Sequence, residues 1–213
     1  MRSRLATARL YLVAPARLAA GTLAELVPEL AAAGVDLVQL REKEMEGGDI
    51  VREGAPIGDA CRAAVIPFIV NDRPDVALAL DADGVHLGQN DLPVAAARTI
   101  VGVDAIVGLS THATSEIDAA VPSEGIVDYL SVGPVQETPT KPGRPGTGLD
   151  LVRYAAGAVA MPWFVTGGMA PGTLPAAMEA GARRIVVVRA ITEAPDPVAT
   201  ASRLREMLEE VPL

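Results

Sequence analysis

The sequence predicts a (β/α)8 barrel in a single domain over residues 1–213, and three observations predict it. Eight short apolar runs recur, each followed by polar or glycine residues and then an alanine- and leucine-rich stretch with helical spacing. The runs are nearly continuous in apolar residues rather than alternating, as strands covered on both faces of a parallel sheet require. Eight such units fit into 213 residues only with short loops, near the lower end of barrel size. An open doubly wound sheet is the structural alternative. It normally carries a glycine-rich turn after its first strand, where this chain has Val13-Ala14-Pro15-Ala16.

In chain order the strands are expected at 10–13, 37–40, 68–70, 84–87, 106–109, 129–132, 163–165 and 185–188. The helices are expected at 23–33, 50–64, 75–80, 94–100, 115–121, 149–158, 174–180 and 197–209. Ala33-Gly34-Val35-Asp36, Asp83-Gly84-Val85-His86 and Ala180-Gly181-Ala182-Arg183 echo one another, each closing a helix just before a strand with a glycine that suits a helix C-cap. The segment 44–64 fits a helix worst: it holds Gly47, Gly48, Gly54, Pro56 and Gly58, and an interior glycine costs about 1 kcal/mol and a proline about 3 kcal/mol. Part of it is expected to be loop. The longest loop, 133–148, contains four prolines and enough glycine to be expected to serve a site.

Composition narrows the function classes. Half of the residues are hydrophobic, 21% are charged and mean hydropathy is +0.30, which excludes a disordered chain. The net charge of −9 and 3% aromatic residues remove both the phosphate-neutralising surface and the stacking platforms of a nucleic-acid binder. One cysteine, Cys61, makes neither an internal disulfide nor a thiolate metal cluster, so a cytoplasmic protein is expected. Arg2, Arg4 and Arg9 before the apolar run 10–16 faintly resemble a secretory signal, but the run is short and Arg17 ends it. No apolar stretch reaches the ~18 residues of a membrane span.

In a barrel the chemistry sits just after the strands. Gln39, Arg41 and Lys43 alternate after the second strand, so they share one face of an extended chain. That face is cationic unless Glu42 and Glu44 pair it off. Asn71-Asp72-Arg73-Pro74 ends the third strand and His86-Leu87-Gly88-Gln89-Asn90-Asp91 the fourth. Taken singly, Asp72 and Asp91 read as caps of helices opened by Pro74 and Pro93. Taken together beside Arg41 and Lys43, they suit Mg2+ held by few protein oxygens, with substrate phosphate and water completing its shell. The fifth strand ends in Gly108-Leu109-Ser110-Thr111-His112. With no nucleophile elbow and no third orienting group, Ser110 is a donor to a substrate oxygen rather than a nucleophile, and His112 a structural hydrogen-bonder. Two histidines in all also exclude a histidine-built zinc site.

The later strands carry Thr138-Pro139-Thr140-Lys141 in the long loop, Gly167-Gly168 after strand seven and Val188-Arg189 at the end of strand eight. Glycines there let backbone N–H groups approach an anion, and a following helix N-terminus adds its positive end, which makes a phosphate-monoester pocket. Two anionic substrates are thus expected. A charge pair at 4 Å is worth about 4 kcal/mol at an effective dielectric of 20, whereas exposed charges beyond about 8 Å are screened. The local cations therefore outweigh the overall charge of −9.

Gln39-Leu40-Arg41-Glu42-Lys43, Val70-Asn71-Asp72, His86 to Asp91, Gly108 to His112, Thr138 to Lys141 and Thr166-Gly167-Gly168 together resemble the thiamine phosphate synthase family, in order and spacing, over nearly the whole chain. The resemblance implies condensation of hydroxymethylpyrimidine diphosphate with a thiazole phosphate, or its carboxylated form, to thiamine phosphate and pyrophosphate. By position it implies that Gln39, Arg41, Lys43, Asn71, Ser110 and Lys141 bind the diphosphate, with Arg41, Lys43, Ser110 and Lys141 doing the catalytic work, and that Asp72 and Asp91 hold Mg2+. Thr138, Thr140, Gly167, Gly168, Val188 and Arg189 bind the thiazole phosphate, the last two mainly through backbone; Leu40, Glu42 and Pro139 belong to the same binding segments. Only small-molecule partners are implied, with a homodimer left open. The chemistry needs no general base: the electron-rich aminopyrimidine delocalises the methylene cation left when the C–O bond breaks, so electrostatic preorganisation and proximity suffice. Two features depart from the family: segment 44–64 is shorter and richer in glycine than its second helix, and Arg189 stands where many relatives carry a small residue. The rival readings are a thiazole tautomerase, in which His112 would move the proton, and a barrel that binds thiamine phosphates without turnover. Retention of the whole diphosphate and metal set favours the synthase.

Overall fold

A computed structural model describes residues 1–18, 21–121, 125–137 and 145–213. The expected binding residues Thr138, Pro139, Thr140 and Lys141 lie outside the described residues. Eight parallel strands, β1 (Leu10–Ala14), β2 (Leu37–Leu40), β3 (Phe68–Asn71), β4 (Gly84–Leu87), β5 (Ile106–Thr111), β6 (Tyr129–Val132), β7 (Trp163–Val165) and β8 (Ile185–Val187), close into a barrel in chain order. Closure runs through Leu10 opposite Ile185 and Tyr11 opposite Val186. The helices around it are α1 (Leu23–Ala32), α2 (Gly47–Ala64), α3 (Pro74–Ala79), α4 (Val94–Val101), α5 (Thr114–Ala120), α6 (Asp150–Ala158), α7 (Leu174–Glu179), α8 (Arg189–Thr192) and α9 (Pro197–Glu209). None of the described helices is long and apolar enough to cross a membrane.

All eight expected strands are present, and the differences are local. The last strand stops at Val187, and Val188 becomes the N-cap of α8, a four-residue helix between the barrel and α9. A two-stranded hairpin pairs Arg17–Leu18 with Gly21–Thr22 after β1. The larger correction is α2, which is helical over 18 residues where part of the segment was expected to be loop. Two of its glycines, Gly54 and Gly58, are there for packing. A Cβ on Gly54 would stand 2.8 Å from Leu80 and 2.9 Å from Leu40, and one on Gly58 would stand 3.3 Å from Phe68. The helix axis thus lies close to the sheet, and the contacts this allows offset the low intrinsic propensity.

The side chains sort into two cores. One lies between strands and helices; the other fills the barrel, with Tyr11, Leu37, Ile69, Ile106, Tyr129 and Phe164 at its centre. Inward residues follow the two-residue period, so each strand reads from apolar to polar along its length: Leu37 then Gln39, Ile69 then Asn71, Ile106 then Ser110, Tyr129 then Ser131. Gly108 makes room for the largest of them, since a Cβ there would fall 2.1 Å from the Tyr129 ring.

The opposite, N-terminal end is locked by carboxylates. Asp36, just before β2, accepts from the Leu10 N–H at 3.0 Å; Asp83, before β4, accepts from Phe68 N–H at 2.9 Å; Asp128, before β6, accepts from Val107 N–H at 2.8 Å. Each aspartate entering an even strand thus caps the first or second amide of the strand before it. Arg184 breaks the series before β8 and donates instead to the carbonyls of Ala6 and Ala8. Asp128 is also paired with Arg98 at 2.6 Å, the two side chains being only 4% and 11% exposed. Removing one member of such a pair strands the other charge, so Asp128→Ala is expected to cost about 3 kcal/mol and to lower Tm by roughly 6–12 °C. Thermal unfolding followed by circular dichroism checks this; a shift under about 2 °C would show that the clamp is dispensable.

Candidate active site

A cavity of about 680 Å3 opens at the C-terminal end of the barrel. Tyr11, Gln39, His86 and Ser110 form its floor, Arg41 and Asn71 stand on one side, and Gly167, Gly168, Val188 and Arg189 stand on the other. The sequence places these residues after different strands; closure of the barrel brings them to one mouth. Gln39 and Arg41 share a face as their spacing requires, while Lys43, one step further, reaches Asp72 in an ion pair. Leu40 packs in the outer core, and Glu42 accepts from the Ala16 N–H at 2.7 Å. The side chains of these two residues therefore hold the β1 and β2 loops in place and face away from the cavity.

The end of β3 brings two carboxylates and a lysine together. Asp72 adopts a left-handed backbone conformation, φ 62°, which costs a non-glycine residue about 1 kcal/mol; its N–H is donated to the His86 carbonyl at 2.8 Å. This turn leaves its carboxyl close enough to Asp91 for the two charges to act on each other. Neither aspartate caps a helix, because the N-caps of α3 and α4 are Arg73 and Pro93. Asp91 is fixed by the Gly88 N–H at 2.7 Å, and a Cβ on Gly88 would press within 3.0 Å of the same carboxyl. Burial first, and then the Asp91 carboxyl, hold the Asp72 pKa above the ordinary aspartate range against the pull of Lys43. Beside them, Asn71 keeps a buried side-chain N–H2 with no hydrogen-bond partner, a donor that a ligand's oxygen would satisfy.

Across the cavity floor runs a chain of hydrogen bonds that sequence reasoning missed. Gln39 Nε2 donates to Tyr11 Oη at 2.5 Å, Tyr11 and Tyr129 hydroxyls lie 2.8 Å apart, His86 Nδ1 is 2.9 Å from Tyr129 Oη, and His86 Nε2 is 2.9 Å from Ser110 Oγ. Burial pushes both tyrosine pKa values far up, so both stay neutral. The one available signal was a polar or aromatic residue inside an otherwise apolar strand: Tyr11, His86 and Tyr129. Ser110 is therefore tied to His86, while His112 is held by Glu116, which accepts from its backbone N–H at 2.7 Å and lies 3.0 Å from its Nδ1. Gln89, from the same segment as Asp91, anchors the Ser110 carbonyl at 2.7 Å.

On the far side, Gly167 and Gly168 have φ of 96° and 76°. A Cβ on Gly167 would lie 2.5 Å from Pro134 Cα, and one on Gly168 2.5 Å from Gln136 Oε1. The loop after β6 therefore rests directly on this glycine pair, with Val135 N–H donating to the Thr166 carbonyl at 2.8 Å. Exposed Arg189 stands at the mouth, at the first position of α8.

Residues 10–191 match the family model described as thiamine monophosphate synthase. The chain is 52% identical over 208 residues to the thiamine-phosphate synthase of Streptomyces avermitilis, covering 97% of this chain and 96% of that protein. It is 50% identical to the thiamine-phosphate synthase of Acidothermus cellulolyticus, covering 98% of each. Among solved structures, thiamine phosphate pyrophosphorylase from Pyrococcus furiosus superposes with a TM-score of 0.84 at 31% identity, over 98% of both chains.

The Asp72 environment fixes the sign of a stability effect. The folded chain binds this proton more tightly than the unfolded one, so stability falls as pH rises from the unfolded pKa through the raised folded value. Asp72→Asn stays neutral and tolerates the left-handed turn. Without divalent cations it is expected to melt above the wild type at pH 7 and level with it below about pH 4. A wild type that melts higher at pH 7 contradicts the assignment.

Proposed function

The chain belongs to the thiamine phosphate synthase family, and from that premise we propose that it joins 4-amino-2-methyl-5-hydroxymethylpyrimidine diphosphate to 4-methyl-5-(2-phosphoethyl)thiazole, or its carboxylated form, yielding thiamine phosphate and pyrophosphate. It is thus a transferase of a pyrimidinylmethyl group. The observation that carries this reading is one cavity with two unlike sides: Arg41 and Asn71 after β2 and β3, with the Lys43–Asp72 ion pair next to them in the chain, and the backbone of Gly167 and Gly168 after β7. The first suits a diphosphate and the second a phosphate monoester, with a hydrogen-bonding floor between them for a flat heterocycle.

Asp72 and Asp91 suit Mg2+ by their chemistry: two hard oxygen donors whose like charges act on each other, and among the described residues no larger His/Cys/Asp/Glu group that would favour another metal. Both aspartates would hold the ion, which when bound supplies neutralising charge to the pyrophosphate. The remaining work falls to side chains. Arg41 and Lys43, with Lys141 from the family pattern, oppose the charge that grows on the leaving oxygens, and the Asn71 amide offers them the donor that nothing else in the fold uses. Ser110 donates from the floor. Gln39 meets the ring edge and holds the pyrimidine so that its methylene faces the thiazole nitrogen, which replaces a bimolecular encounter by a fixed approach. Backbone N–H groups around Gly167, Gly168, Val188 and Arg189 receive the thiazole phosphate. The proposal includes a cytoplasmic setting, supported by the single buried cysteine.

The test mixes both substrates with the protein and Mg2+ and assays for thiamine phosphate and pyrophosphate, with and without EDTA. Equilibration of thiazole isomers with no thiamine phosphate would transfer the protein to the tautomerases. Binding of thiamine phosphate with no turnover would make it a sensor. Arg41→Ala is expected to lower kcat about 100-fold while the KM for thiazole phosphate stays within about twofold. Equal losses in both would break the division into two half-sites.

A further inference from the structure

We infer that Gln39, Tyr11, Tyr129, His86 and Ser110 work as one hydrogen-bonded wire whose proton order couples recognition of a 4-amino group at one end to donation toward the leaving oxygen at the other. This rests on the proposed function and adds a specificity device to it. Tyr11, Tyr129 and His86 are its positioning residues.

The number of protons available fixes the order of the chain. Each tyrosine hydroxyl has one proton and two neighbours in the chain, so donating on one side means accepting on the other. Gln39 Nε2 donates to Tyr11; the Tyr11 proton then goes to Tyr129, and the Tyr129 proton goes to His86 Nδ1. Neutral His86 therefore carries its own proton on Nε2 and gives it to Ser110 Oγ, which leaves the Ser110 proton for the cavity. In this order Gln39 shows its carbonyl oxygen to the cavity and Ser110 shows a donor. The reverse order satisfies the same five groups, but turns the Gln39 amide over and makes Ser110 donate inward to His86. The two ends cannot be set independently. All five side chains are under 10% exposed, so water does not easily substitute for a missing link.

A 4-aminopyrimidine diphosphate fits the first order at both ends: its amino N–H meets an acceptor at Gln39, and its ester oxygen meets a donor at Ser110. A 4-oxo analogue reverses the need at Gln39 but not at Ser110, so it satisfies one end at the expense of the other. Bond cleavage strengthens the preference, because charge grows on the departing oxygen while the amino group takes up the cation's positive charge. Both ends then gain in the same proton order, which places the coupling in the transition state. The stack of His86 on Tyr129, 5.5 Å between ring centres and 20° from parallel, keeps the middle links in register.

Tyr129→Phe cuts the wire at its centre. The experiment compares kcat/KM for the 4-amino and 4-oxo pyrimidine diphosphates in wild type and variant. The expected result is a fall of at least about tenfold in the amino-over-oxo preference, carried by kcat on the amino substrate, with the KM for thiazole phosphate unchanged. A variant that loses rate yet keeps the preference overturns the inference, because a purely structural role predicts that outcome. A second readout needs no variant. In 15N-histidine-labelled wild type with the 4-amino pyrimidine alcohol and magnesium pyrophosphate, His86 is expected as the Nε2–H tautomer, and an Nδ1–H tautomer or an imidazolium overturns the assignment. A wild type that makes no thiamine phosphate defeats the proposed function itself, whereas an active wild type with an indifferent Tyr129→Phe defeats only the wire.

Discussion

Closing eight parallel strands into a cylinder commits every second side chain to an interior with room for few of them, and the rest of this molecule follows from how that interior is filled. At the N-terminal end the inward residues are apolar and the strand amides are capped by Asp36, Asp83 and Asp128. At the other end the same rows turn polar, through Gln39, Asn71, His86 and Ser110. A hydrogen-bonding floor is the only way to bury so many polar groups at low cost. The site is therefore the top layer of the core, and its precision comes from the layer beneath.

That origin explains the uneven distribution of charge. Overall the protein is strongly acidic, at −9, yet the cations that matter are fixed after β2, within reach of Asp72. The aspartate pair is unfavourable by itself: burial and mutual repulsion raise the Asp72 pKa, and the backbone must enter a left-handed turn to bring the carboxyls together. Strain and desolvation concentrated at one point, with Gly88 shaped to support it, are the usual mark of a group held ready for a ligand.

What the sequence revealed and what it hid divide along a physical line. Strands were readable because covered strands are runs of apolar residues, and the family was readable because the polar segments that follow those runs keep a recognisable order and spacing. Helix α2 was not, because propensity counts the cost of Gly54 and Gly58 but not the close approach to Leu40 and Phe68 that only glycine permits. Asp72 and Asp91 fit helix caps by sequence, and only the structure shows that Arg73 and Pro93 hold those positions instead. Leu40 and Glu42 belong to a binding motif by sequence, yet their side chains serve packing. The floor was hidden most completely: a tyrosine in β1 has no local reason to meet one in β6, and only closure of the barrel brings their hydroxyls within 2.8 Å.

The same closure bears on why the proposed reaction is one that runs without a general base. The ionisable groups in the floor are already committed: both tyrosines are held neutral by burial, and His86 has both ring nitrogens engaged, with Tyr129 and Ser110. The proposed reaction avoids this requirement, since its pyrimidine would generate its own cation and its thiazole nitrogen is already a nucleophile. What remains is to receive negative charge on one side and hold two rings in line. A rim of cations with a neutral, directional floor does both, and it does so without placing an unpaired charge inside the barrel.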